Sequence, residues 1–173
     1  MLEVRALLGA LKLMMNNSEL ESADEFFMKK ALCEARRVVA SEDVPVGAVI
    51  VLQNKVIARA HNQVELLGDP TAHAEMIAIT EAAAFLKSKW LKDCALYVTI
   101  EPCSMCAGAL VLSRIFRVVY GAGDPKTGAG GSVFNILHNE KLNHRVKIKA
   151  GVLKEECAAL VQDFFRKQRA KDN

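Results

Sequence analysis

Residues 94–122 read CALYVTI, EPC, SMCAGALVLSR and IFRVVYGA: a β-branched run, a proline break, an apolar helical run and a second β-branched run. No other stretch leaves the chain so little freedom. A strand, a helix and a strand in succession imply parallel pairing through a right-handed crossover. The sheet built on that pair then needs helices on both faces.

The flanking segments supply them. Ser22 with Glu25 three residues on has the capping-box form of a helix start. Phe27, Ala31, Ala35 and Val38 recur at helical spacing, which predicts an amphipathic helix over 24–41. VGAVIVL is too short and continuous for a helix and reads as a buried strand, and QNK turns it into VIARAHN as a hairpin. DPTAHAEMIAITEAAAFLKSK predicts a helix that Thr71 caps, apolar almost all round and therefore sandwiched between other elements. After IFRVVYGA come the glycine-rich loop GDPKTGAGGS, a short helix over VFNILH, and RVKIKAGV as a strand with one wet face. A last helix over 154–170 turns Cys157, Leu160, Val161 and Phe164 inward. The fold class is α/β, a mixed sheet of about five strands between helical layers.

Residues 23–173 read as a single domain without repeats, and residues 1–22 as an N-terminal extension. Val4–Met15 has the makings of a short helix that NNSELES breaks, and Met14 and Met15 leave room for a start inside the segment. Lys12 interrupts its apolar stretch and no small-residue cleavage pattern follows, which argues against a signal peptide.

With 173 residues, 51% hydrophobic and 25% charged, the chain suits one compact domain and not a disordered one. A net charge of +3 is compatible with an anionic partner without demanding one. No run approaches the roughly 18 apolar residues of a spanning helix, so no membrane partner is expected. The five cysteines are odd in number and sparse, which argues against a secreted disulfide scaffold and for a reducing, cytoplasmic setting.

Cys103 and Cys106 stand at i and i+3 on the first turn after Pro102, where the positive helix end favours thiolates. A disulfide, a redox pair and half of a metal site all fit C-x-x-C by itself. A thioredoxin-like context would place the pair after the first strand, whereas here it follows the third. TAHAE places His73 and Glu75 at the start of the other apolar helix. A single histidine there is more often a cap or a core partner than a ligand. Side chains two apart leave a helix on different flanks, yet from the first turn both reach a point beyond its end. His73, Cys103 and Cys106 together make three ligands, one short of a closed zinc site, and three ligands with an open position is the catalytic pattern. Glu75 stays free to touch what the metal binds. The order H-x-E, then P-C-x-x-C, is the signature of zinc nucleobase deaminases. Cys33, Cys94 and Cys157 are expected as small core residues, and His61 and His138 lack a ligand partner at suggestive spacing.

The runs VPVGAVIV, HNQ, DPTAHAEM, LYVTIEPCSMCAGAL, GAGDPKTGAGGS, NHRV and EECAALVQDFFRKQR resemble the bacterial tRNA-specific adenosine deaminases over residues 24–170. The resemblance implies a three-layer α/β/α cytidine-deaminase-like fold and a homodimer with one zinc ion per subunit. The implied partner is a tRNA anticodon stem-loop, that of an arginine tRNA, whose wobble adenosine becomes inosine. His73, Cys103 and Cys106 would ligate zinc, which activates a water, and Glu75 would shuttle its proton. Asn62 would hydrogen-bond the flipped nucleoside, and Asp124, Lys126, His144, Arg166 and Arg169 would touch RNA. Two features depart from the family pattern: residues 1–22 have no counterpart, and Gln63 stands where arginine is usual. The alternatives are a deaminase of free cytosine, guanine or nucleosides, against which the basic tail FFRKQRAK argues, and a non-catalytic RNA-binding zinc module, against which Glu75 argues.

Overall fold

The structure is a computed structural model that describes residues 17–171. The helix expected over Val4–Met15 lies outside them. Helix α1 (Asn17–Ala35) runs into a 3-10 segment (Arg36–Ala40), followed by strands β1 (Gly47–Leu52) and β2 (Lys55–His61). A one-turn helix α2 (Val64–Leu67) precedes α3 (Ala74–Leu86), β3 (Cys94–Ile100), α4 (Ser104–Leu112) and β4 (Arg117–Ala122). Strand β5 (Lys147–Ala150) and helix α5 (Lys154–Lys171) complete the order.

The five strands form one sheet in the order β2-β1-β3-β4-β5. β1 lies antiparallel to both β2 and β3, whereas β3, β4 and β5 are mutually parallel, so the crossover expected over 94–122 is present in a mixed sheet. Gln53 and Asn54 both take positive φ at the β1–β2 turn, as a two-residue hairpin between right-twisted strands requires. Strand alternation divides the core in two. Ala48, Ile50, Leu96, Val98, Val118 and Tyr120 face Ala74, Ala78 and Ala82 of α3 and Ala107 and Leu110 of α4. Val49, Val51, Tyr97 and Val119 face Phe27, Met28 and Ala31 of α1 and Cys157 of α5. Three layers result. α1 comes so close to β1 that a Cβ on Gly47 would lie 2.0 Å from the Ala31 carbonyl oxygen.

Several expectations need correction. The first helix is already under way at Ser22, because the polar residues before it are adequate helix formers with no proline or glycine among them. Its last turn tightens to 3-10 geometry. Cys33 is exposed, on the helix face opposite the Phe27–Ala31–Ala35 stripe, whereas Cys94 and Cys157 are buried as expected. VFNILH forms no helix. Val133 and Phe134 donate their amides to the Gly128 carbonyl and Ile136 donates to Ala129, so the segment folds back on the glycine loop. Six residues cannot offset the cost of helix nucleation against that competition. Helix α3 packs against the sheet and the flank of α4, not between two layers, and Phe85 is 64% exposed. Among the described residues, none closes over its outer face at Phe85.

One ionic cluster ties α1 to the sheet. Asp24, 1% exposed, accepts two hydrogen bonds from the Arg117 guanidinium (2.9 and 2.8 Å) and one from the Tyr97 hydroxyl (2.9 Å), with Lys149 Nζ 2.9 Å away. Burial by itself would raise the Asp24 carboxyl, but the donors from Arg117, Lys149 and Tyr97 outweigh it and hold it below the ordinary 3.8. A depressed carboxylate contributes stability that is whole above that unfolded value and is lost as pH falls through the folded one. Asp24→Asn should therefore lower unfolding stability at neutral pH by about 3 kcal/mol, because two cations and a phenol lose their common acceptor. Urea denaturation at pH 7 and pH 3 checks this, and the gap between the two proteins should narrow in acid.

Candidate metal centre and substrate cleft

α3 and α4 both begin at the same end of the sheet, and each begins on a chemically reactive residue. His73 is the residue just before α3 (φ −69°, ψ 149°) and Cys103 the residue just before α4 (φ −71°, ψ 176°). Their carbonyls accept the first helical bonds, from Ile77 (3.1 Å) and Ala107 (2.8 Å), while the extended backbone swings both side chains off the helix ends. Thr71 does not cap α3 as expected. Its hydroxyl and amide both donate to Asp69, closing a local turn two residues earlier.

The three donors meet. Cys103 Sγ lies 3.7 Å and Cys106 Sγ 3.6 Å from His73 Nδ1, and all three atoms fall within 4.8 Å of one another. Zinc bonds of about 2.3 Å to sulfur and about 2.0 Å to nitrogen, at a tetrahedral angle, separate nitrogen from sulfur by about 3.6 Å. The donor set thus fits a zinc-sized ion, and among the described residues it is the group of that kind that the fold assembles. Two helix N-termini aim their positive ends at it.

The electrostatics agree with a shared site. The Cys106 thiol and the His73 ring hold the Cys103 thiol down to about 4 against the effect of burial, so one sulfur stands ready as a thiolate. Cys106 is driven the other way, first by that neighbouring thiolate and then by burial. His73 is raised, chiefly by its contact with Cys103. Glu75, in the first turn of α3 and almost wholly buried, is raised by burial. It stands outside the three-donor group, which leaves its carboxyl free for proton transfer.

These residues open into a cleft of about 820 Å³. His73, Glu75, Cys103 and Asn62 line its floor, with Asn62 held in place by the hydrogen bond its backbone N–H donates to the Val46 carbonyl (2.9 Å). Two buried carboxylates shape the walls. Asp43 accepts from the Glu65 and Leu66 amides (2.7 and 3.2 Å) and so fixes α2 beside Asn62. Glu101 fixes the glycine loop on the opposite side. The third wall is α5, which contributes Val161, Phe164, Phe165 and Gln168. Helical spacing marks Val161 and Phe164 as inward without giving them a cleft role, and no pattern singles out Asp43 or Glu101, because both accept from amides distant in sequence.

Of the other expected site residues, Asp124 and Lys126 line the cleft and the rest lie outside it. Asp124 lines the cleft, but its carboxylate closes a turn by accepting from the Lys126 and Thr127 amides. Lys126 and Arg169 border a common groove of about 270 Å³ with Val161, Gln162 and Phe165. Arg166 pairs with Asp163 at 2.8 Å on the exposed side of α5. His144 sits where β4 and β5 begin, the sheet end away from the cluster, with Nε2 2.7 Å from the Ile115 carbonyl oxygen. Gln63 directs its backbone, not its side chain, to the local fold, donating to Ala72 and accepting from Leu67 (both 3.0 Å). Among the described residues no helix is long and apolar enough to cross a membrane.

Known proteins are similar to this chain in sequence and fold. The profile of the MafB19-like deaminase family matches residues 22–169. The tRNA-specific adenosine deaminase of Aquifex aeolicus (strain VF5) is 54% identical over 145 residues, covering 84% of this chain and 95% of its own. That of Bacillus subtilis (strain 168) is 48% identical over 148 residues, covering 86% and 92%. Among solved structures, a tRNA:A34 deaminase studied for A-to-I editing at the wobble position superposes with a TM-score of 0.75 at 42% identity, covering 78% of this chain and 98% of that one. A guanine deaminase from Nitrosomonas europaea superposes at 0.69 with 25% identity, covering 81% and 83%.

Proposed function

The chain belongs to the tRNA-specific adenosine deaminases, within the MafB19-like deaminase family, and on that premise we propose that it converts the wobble adenosine of an arginine tRNA anticodon to inosine. The observation that carries the reading is the convergence of His73 Nδ1, Cys103 Sγ and Cys106 Sγ beside an unligated, buried Glu75 in one cleft. In this reading residues 23–173 are the catalytic domain, residues 1–22 an extension, and the enzyme works in the cytoplasm as a homodimer with one zinc ion per subunit. The outer apolar sides of α3 and α4, where Phe85 and Leu112 are exposed, support a second copy as cover.

His73, Cys103 and Cys106 hold the zinc, which when bound supplies the Lewis acid that makes water nucleophilic near neutral pH. The target adenosine leaves the loop stack to reach the cleft floor, where Asn62 hydrogen-bonds the nucleoside. Glu75 takes a proton from the attacking water and places it on the ring nitrogen next to C6 as the C6–O bond forms. The same carboxylate then takes the remaining proton from the new C6 hydroxyl and passes it to the exocyclic amine, the C6–N bond breaks as the C6 carbonyl forms, and ammonia departs. Burial equips Glu75 for both steps by keeping its protonated and ionised forms closer in energy than in water.

Arginine tRNA transcript, free cytosine and free guanine, incubated separately with the protein, test the assignment. Adenosine-to-guanosine conversion in sequencing at the wobble position is the expected result. Ammonia from a free base without conversion of the transcript would reassign the substrate, and neither product would leave an RNA-binding module. Lys126, Arg166 and Arg169 are proposed phosphate contacts. Three such contacts to a single strand give a log–log salt slope near −2, so affinity should fall roughly twentyfold over a fourfold rise in salt. Filter binding at several salt concentrations checks the slope, and a flat response would remove those residues from the interface.

A further inference from the structure

Glu101 is 1% exposed, stands two residues before Cys103, and plays no part in the chemistry just described. Oε1 accepts from the Gly130 amide (2.8 Å) and the Ser132 amide (3.0 Å). Oε2 accepts from the Asp124 amide (3.0 Å) and from the Ser132 hydroxyl. Every donor belongs to residues 124–132, and none carries charge. A carboxylate is suited to this task because it offers acceptors only, in four lone-pair directions.

A second seam joins the same loop to the same turn. Ala129 donates its amide to the Pro102 carbonyl (2.8 Å), and Cys103 pairs antiparallel with Gly128. A Cβ on Gly128 would lie 2.5 Å from the Glu101 carboxyl carbon, so the absence of a side chain there makes room for the carboxylate. The loop then presents Gly123 to Thr127 as a wall of the cleft.

We propose that Glu101 is a positioning residue that fastens the glycine loop to the turn bearing Cys103, so that the 123–127 wall is set for docking the RNA strand. The inference rests on the deaminase reading of the cleft. It assigns Glu101 to substrate binding, and neither to metal retention nor to the chemical step. Glutamine in its place keeps the volume but turns an NH₂ group toward backbone donors, which opens one side of the clamp.

The test compares zinc-loaded wild type, Glu101→Gln and Ser132→Ala for metal content, hydrogen exchange of the 123–132 amides, and stem-loop binding and turnover. With one to two loop bonds lost, Glu101→Gln should exchange those amides at least about tenfold faster and raise the stem-loop Kd and KM about tenfold. Its kcat should stay within about threefold of wild type and its zinc content should not change. Ser132→Ala removes one side-chain donor and should shift the same quantities in the same direction by less, and it carries the test if Glu101→Gln fails to fold. Unchanged loop exchange and Kd in both variants would overturn the proposal. So would loss of zinc, or a fall in kcat at constant KM, since either places Glu101 in the metal centre or the chemistry. A wild-type protein that neither binds nor deaminates the stem-loop sinks the parent reading, whereas one that does both while the variants match it sinks this inference alone.

Discussion

Glu75→Gln is expected to lower single-turnover deamination of an anticodon stem-loop by about 10⁴-fold, the upper range for a lost general acid–base. Zinc content and stem-loop affinity should stay within a few-fold of wild type. Both halves of this result follow from one geometric fact. The carboxyl is almost wholly buried in the cleft floor yet outside the three-donor group, so an isosteric amide leaves the ligands in place while removing a group beside them that can both accept and return a proton. Metal analysis and quench-flow measurement on the same preparation separate the two effects. A zinc-replete variant turning over within about tenfold of wild type would assign proton transfer elsewhere.

Cys103→Ala attacks the other half of the site, and its effect should be larger. Two donors remain, and they no longer define a site with one open position. The purified variant should carry less than about a tenth of the wild-type zinc and show no deamination above background. Stability supplies a second readout. An ion present at about a thousandfold over its Kd stabilises the fold by about 4 kcal/mol, so a chelator should lower the wild-type melting temperature substantially. Cys103→Ala should melt near the chelated wild type and ignore the chelator. A variant with full zinc occupancy would remove Cys103 from the ligand set.

The central sheet and the metal ligands could be read from residue order. Parallel pairing of β3 and β4 follows from a β-branched, apolar, β-branched succession, and the hairpin from two such runs split by Gln53 and Asn54. His73 and Glu75 follow one strand-end and Cys103 and Cys106 another, which is enough to bring them together once the strands are neighbours. What stayed hidden depends on loop amides. Asp24, Asp43 and Glu101 look like ordinary surface acids in the sequence, since their partners lie 20 or more residues away or are backbone groups. The VFNILH segment misled because its apolar spacing suits a helix, while its amides are claimed by the Gly128 and Ala129 carbonyls. The Arg166 and Arg169 pattern on α5 was visible, but Phe164 and Phe165 form the cleft wall, a matter of how the helix rolls against β4.

The side of α3 against the sheet centres on Ala74, Ala78 and Ala82, each fully enclosed, with Ile77 and Ile79 packed at its margins. The alanine methyl groups act as spacers that set where His73 stands relative to Cys103. A single added branch at Ala78 would lift that end of the helix by a fraction of an ångström, and an ion-binding triangle tolerates little such error. Disabling substitutions should therefore arise at inert positions as well as at reactive ones, in residues whose only contribution to the reaction is to be small.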